Sequence, residues 1–235
     1  MDKERMKNLK GLAQALGHAF GDVTLLELAL THGSYTNENP DMAGKDNERL
    51  EFLGDAVLQL GISDLLMEHF PDCDEGQLSK ARAFMVGEQS LAGMARRYGI
   101  GDFILLGKGE EKAAGRKKDS ILGDAFESII GAIYLDGGHE AAFSFIRRVF
   151  RSAVDEWEKK PGNRDFKSLL QEVSQDRFKE IPRYRTAGVS GPDHDRTFEV
   201  KASIGDILIA TGTGKSKKEA EQDAARKALE KLDAT

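Results

Sequence analysis

The sequence predicts two domains of different class, an all-α domain followed by a small α+β domain with the order α-β-β-β-α. Three observations carry that expectation. Apolar residues recur at spacings of three and four as far as Trp157, with no hairpin signal among them. A polar, chain-breaking stretch, Glu158-Lys159-Lys160-Pro161-Gly162-Asn163-Arg164-Asp165, then ends the pattern. Beyond it the periodicity turns to alternation, flanked by a helical segment on each side. We therefore expect domains over 1–158 and 165–235, joined by a linker over 159–164 whose Pro161-Gly162 pair lets the second domain swing.

In the first domain the helical spacing covers 13–16, 25–30, 48–67, 78–98, 120–136 and 140–157, with Gly-rich or polar breaks between. Asp74 and Gln77 read as a reciprocal cap on the helix that follows them, and Glu75 in its first turn suits the helix dipole. In the second domain 166–178 is helical, 183–190, 197–204 and 206–212 alternate as strands, and 217–232 is helical again. That order folds as an antiparallel sheet with two helices on one face.

Composition narrows the chemistry. The 235 residues carry 34 Lys+Arg against 40 Asp+Glu, a net charge of −6, and 40% are hydrophobic, enough to bury a core. The acidic excess lies in the first domain. Cys73 is the only cysteine, which excludes an intrachain disulfide framework and a zinc site with two cysteines. No apolar run reaches the roughly 18 residues of a membrane span, and the start Met1-Asp2-Lys3-Glu4-Arg5 is charged, so no membrane association and a cytoplasmic location are expected.

Two segments stand out. From Leu50 to Ile62 the only charges are Glu51 and Asp55, and from Ser120 to Leu135 the only ones are Asp124 and Glu127. Helices apolar all round are expected to be buried. Spacings of four and three put each pair of acids on one helix face, and Glu48 extends the first stripe. Desolvated carboxylates must pair with a base, take up a proton or share a cation. Arg49 lies on another face, and Arg82, Arg96 and Arg97 are spread over a different segment. A divalent ion resolves the conflict, and an all-oxygen donor set favours Mg²⁺ or Mn²⁺ over Zn²⁺. None of the histidines follows a Glu by three residues as di-iron bundles require. His32, in Leu30-Thr31-His32-Gly33-Ser34, reads as a structural hydrogen-bonding residue. Carboxylate-held metal ions suit phosphoryl transfer.

Asn47-Glu48-Arg49-Leu50-Glu51-Phe52-Leu53-Gly54-Asp55 resembles the signature motif of the ribonuclease III family. Asp119-Ser120-Ile121-Leu122-Gly123-Asp124-Ala125-Phe126-Glu127 resembles its second acidic motif, departing at Asp119 and Gly123 where the family more often has Glu and Ala. The resemblance spans nearly the whole chain and is to the compact bacterial form. It implies an all-α endonuclease domain and a double-stranded-RNA-binding domain, acting as a Mg²⁺-dependent endoribonuclease. Such an enzyme cuts both strands of double-stranded RNA, leaves 5′-phosphate and 3′-hydroxyl ends, and processes ribosomal and messenger precursors. By position Glu51, Asp55, Asp124 and Glu127 would hold the metal, with Glu127 and Asp55 closest to the chemistry, and Glu48 and Glu75 would be auxiliary acids of the cleft. The resemblance also implies a homodimer with Phe52 as an apolar contact across it, although Phe52 fits a core position equally well.

The second domain resembles a double-stranded-RNA-binding domain. Ser168, Gln171, Glu172 and Gln175 form a polar stripe opposite Leu169, Leu170 and Val173, suited to ribose hydroxyls in the shallow groove of A-form RNA. His194, in Ser190-Gly191-Pro192-Asp193-His194, matches a second groove contact. Lys215, Lys217 and Lys218 open the last helix, where free N–H groups also face anions. A nucleotide-binding loop at Gly214-Lys215-Ser216 is excluded, because that motif needs Gly where Ile209 stands. The rival expectation is a non-catalytic RNA-binding or ribosome-associated protein of the same fold, which the four intact acids disfavour.

Overall fold

The first part of the chain folds as helices α1 (Lys3–Leu16), α2 (Val23–Ala29), α3 (Gly33–Glu38), α4 (Glu48–His69), α5 (Glu75–Val86), α6 (Glu88–Arg97), α7 (Lys108–Lys112) and α8 (Asp119–Lys159), the apolar spacing accounting for all but the short α3 and α7. The structure, a computed structural model, describes residues 1–159, 166–192, 196–205 and 207–233. It divides into two compact units, Met1–Asp155 and Glu156–Thr235. Most of the expected linker, and with it Pro161 and Gly162, lies outside the described residues.

α8 runs through the core of the first unit. Leu122, Ala125, Phe126, Ile129, Ile130, Ala132 and Ile133 are all buried. Gly138 interrupts it at φ 72° and ψ −170°, so the two helical segments expected over 120–136 and 140–157 meet at a kink. The single helix expected over 78–98 is corrected to two. Gly87, in extended backbone, ends α5 and starts α6, and a pattern of apolar spacings does not register one residue leaving the helix. The cap read from Asp74 and Gln77 is present in both directions, at 2.9 and 3.1 Å.

α4 departs from the expectation that an all-apolar helix is buried all round. Leu50, Val57, Leu58, Ile62 and Leu66 face the core, but Phe52 is 81% exposed, Leu60 60% and Met67 64%. These three and Ala56 share one outward face, so Phe52 is not a core residue.

In the second unit α9 (Phe166–Phe178), β1 (Arg183–Ser190), β2 (Thr197–Ile204), β3 (Ile207–Gly214) and α10 (Lys217–Asp233) follow the expected order. The sheet is antiparallel with strand order β1-β2-β3. Leu170, Ile204, Ala210, Ala225, Ala228 and Leu229 form its core. A Cβ on Gly212 would stand 2.1 Å from the backbone nitrogen of Ala224, so β3 and α10 touch at the backbone and only glycine fits. One side-chain expectation fails: Leu169 is 43% exposed and lies outside the core cluster. Ser174 is buried in its place on the inner side, donating to the carbonyl of Glu180 at 2.6 Å.

Candidate active site and RNA-binding surface

Glycines bring the two acid-bearing helices together. A Cβ on Gly54 would lie 1.8 Å from the carbonyl oxygen of Glu127, and one on Gly131 would lie 2.3 Å from that of Leu50. α4 and α8 therefore cross backbone to backbone, with Glu51 and Asp55 on one side of the crossing and Asp124 and Glu127 on the other. Ser128, fully buried, ties the helices at the same level by donating to the Asn47 carbonyl at 3.3 Å.

The electrostatics follow from that crossing. Burial pushes the Glu127 carboxyl up to about 7, and the negative charges of Asp55, Glu51 and Asp124 add to it. Burial also raises Glu51, helped by Asp124, Glu48 and Asp55. Asp124 is raised by burial and by Glu88, while His32 pulls it the other way. Among the described residues no Lys or Arg forms an ion pair with any of the four acids, and Asp55 accepts only from Gln59 at 3.3 Å. The set is also not a finished cage: no three Asp, Glu, His or Cys side chains among the described residues already surround one point as metal ligands do. Three of them half-buried and Asp55 exposed, oxygen-only and without a Lys or Arg partner among the described residues, these carboxylates suit a hard divalent ion.

The auxiliary acids separate. Glu48 acts on Glu51. Glu75 instead accepts from Ser79 at 2.8 Å and lines a groove of about 410 Å³ with Ser63, Leu66, Met67, Leu78 and Arg82, and it is not among the charges that raise Glu51, Asp124 or Glu127. Sequence spacing missed Glu88, because it reaches Asp124 from a third helix. It also passed over the place of His32, whose main chain bonds the Leu105 carbonyl at 3.1 Å and whose Nδ1 accepts from the Ser34 N–H at 3.1 Å. His32 keeps the structural role expected of it as the N-cap of α3. Asp119 pairs with Arg96 and does not join the acids.

On the second unit Gln171, Glu172 and Gln175 are exposed along α9 and Ser168 is half-buried beside them. Lys215, Lys217 and Lys218 are exposed where α10 begins. That turn is fixed by Ser216, which accepts from the Glu219 N–H at 3.1 Å, and by Glu219, which accepts from the Lys215 N–H at 2.8 Å. His194 lies outside the described residues.

The family described as Ribonuclease-III-like matches residues 22–153, and the double-stranded RNA binding motif matches residues 166–232. The chain belongs to the ribonuclease III family. Ribonuclease 3 of Syntrophobacter fumaroxidans is 46% identical to it over 226 residues, spanning 94% of this chain and 93% of that protein. Ribonuclease 3 of Carboxydothermus hydrogenoformans is 47% identical over 237 residues, spanning 99% and 97%. The solved nuclease domain of ribonuclease III from Campylobacter jejuni, with structural flexibility in a region involved in dimer formation, is 44% identical at a TM-score of 0.59, covering 63% of this chain and 99% of that one. As a ribonuclease III family member the protein is an endoribonuclease acting on double-stranded RNA, with a helical nuclease domain and a double-stranded-RNA-binding domain. Nothing favours the non-catalytic alternative. The family is divalent-metal dependent in general. Among the described residues no helix is long and apolar enough to cross a membrane.

Proposed function

We propose that Glu51, Asp55, Asp124 and Glu127 hold Mg²⁺, with Mn²⁺ able to replace it, and that Glu127 and Asp55 orient the attacking water. The observation that carries this reading is the convergence of four carboxylates on α4 and α8 with which no Lys or Arg among the described residues forms an ion pair, the Glu127 carboxyl being held up at about 7. When bound, the ion supplies a Lewis acid at the phosphoryl oxygen and makes water a stronger nucleophile. Glu48 is auxiliary, adjusting charge beside Glu51, whereas Glu75 belongs to the neighbouring groove. The packed helices beneath the acids exclude water from one side of the site, which strengthens every charge interaction there.

The second domain, over 165–235 behind a linker at 159–164, positions the duplex. Ser168, Gln171, Glu172 and Gln175 meet ribose hydroxyls, His194 reads the next groove, and Lys215, Lys217 and Lys218 bind the phosphates between. An acidic cleft repels RNA, and this separate module offsets that repulsion. Two-fold pairing through the outward face of α4, including Phe52, supplies one site per strand. The substrates we assign are ribosomal and other RNA precursors in the cytoplasm.

A duplex labelled on each strand, incubated with Mg²⁺, tests the reading. Cleavage of both strands to 5′-phosphate ends is expected from the natural sequence. Glu127→Gln is expected to bind the duplex as tightly while cutting at least about 100-fold more slowly, the scale of loss when one stabilising group of an active site is removed. Full activity in that variant would reject the assignment of Glu127.

A further inference from the structure

Arg183, Arg185 and Lys201 gather on the sheet face that α9 and α10 leave uncovered. The register determines this. Tyr184 pairs with Ala202, and both turn inward, Ala202 buried and Tyr184 packed against the core. Their neighbours Arg183, Arg185, Lys201 and Ser203 therefore point outward, since alternate residues of a strand face opposite sides. Arg185 stands directly across from Lys201, and Thr211 stands across from Lys201 on the other side.

Two cations opposed across antiparallel strands repel each other. All three are exposed, and among the described residues none has an acidic partner. Glu199, across from Gly188 and Thr213, is the one acid that the same alternation turns outward among the described strand residues. The face is thus net positive in a chain whose net charge is −6. A surface that sets three cations against a single carboxylate attracts a polyanion from outside.

We propose that this face binds the phosphate backbone of a second RNA duplex, leaving α9 and the start of α10 to hold the first. Three features select that occupant. Apart from the Glu199 carboxylate, the outward polar side chains are guanidinium, ammonium and hydroxyl groups, which donate to phosphate oxygens. No aromatic side chain accompanies them, so the face has no platform on which unpaired bases could stack. The cations lie on the neighbouring strands β1 and β2 of one face, where a rod-like duplex meets them by its backbone. The inference adds a site to the double-stranded-RNA-binding domain and leaves the proposed groove and lysine contacts as they are.

The test uses the full chain with divalent metal chelated, titrated with a short labelled duplex at low salt. The natural protein is expected to take up one more duplex per protomer than the variant carrying Arg183→Ala, Arg185→Ala and Lys201→Ala. Its weaker phase, absent from the variant, should fall with salt at a slope of about 2 to 3, one for each phosphate that the three cations neutralise. The variant should melt no lower than the natural protein, because it removes repulsion at exposed positions, and should cut a short duplex at the same rate. Identical stoichiometry and salt slope in the two proteins would overturn the proposal. So would a change of oligomeric state in the variant without RNA, which would make the face a protein contact. Lys215→Ala with Lys218→Ala separates the two sites: it should remove the tight phase and spare the weak one, so failure of the primary lysine contact reads differently from failure of the sheet face.

Discussion

Glu127 sits where three other negative charges and a packed helix crossing meet, and burial is the largest cause of its raised carboxyl. In the folded chain without metal it keeps its proton up to about pH 7, whereas a glutamate in the unfolded chain loses it near 4.5. The sign follows from linkage. The folded state binds more protons between those limits, so the stability Glu127 contributes is complete below about 4.5 and is lost as pH rises through about 7. With metal chelated, the melting temperature of the natural protein should fall relative to that of Glu127→Gln across this interval and level off above it. Parallel pH profiles for the two proteins would remove the electrostatic account. Mg²⁺ should raise the melting temperature more at pH 8 than at pH 5.5, because it competes with a proton at the lower pH. The four acids were legible in the sequence because each pair stands on its own apolar helix. Glu88 and the neighbourhood of His32 were not, since groups that meet from three different segments leave no spacing along the chain.

At the scale of the helix, two glycines in similar apolar surroundings should respond oppositely to the same substitution. A methyl on Gly54 meets the Glu127 carbonyl at 1.8 Å, backbone against backbone, and neither partner can rotate away. Gly54→Ala should force α4 and α8 apart, costing at least the roughly 1–3 kcal/mol of an overpacked core, and should weaken Mg²⁺ binding by spreading the acids. A methyl on Gly123 meets the Leu91 Cβ at 3.8 Å and the Glu88 carbonyl oxygen at 3.9 Å, both ordinary contacts. Gly123→Ala should stabilise the protein by about 0.5–1 kcal/mol, the helix-propensity gain alone. Thermal melts of the two variants check both signs. The sequence showed where the acid-bearing helices run because their apolar character extends over several turns. It did not show Gly87 dividing α5 from α6, nor the short helices α3 and α7, where capping and local backbone bonds outweigh any periodic signal.

For the molecule as a whole, the division into a helical unit and an α-β-β-β-α unit was plain from the change of period, whereas the outward face of α4 was not. Sequence alone could say that Leu50 to Ile62 is apolar around the helix, and the inference of full burial follows only if one chain supplies all the cover. The folded chain covers one side and leaves Phe52, Leu60 and Met67 exposed. Apolar side chains aligned on one helix face drive association by area, and a two-fold pairing presents each face to its own copy. Phe52→Asp should therefore act twice in each dimer, burying a carboxylate in every copy of the contact at a cost of several kcal/mol. Dissociation should strengthen by at least about 100-fold, since each 1.4 kcal/mol is a factor of ten. Under the proposed two-fold pairing, sedimentation should show the natural protein as a dimer at concentrations where the variant is a monomer. The fold should survive, because the position is already exposed, and duplex binding by the second domain should persist at lower avidity. Cleavage of both strands in one encounter should be lost, since a single chain carries one set of acids. A variant that remains dimeric at the same concentration would place the two-fold contact on some other surface.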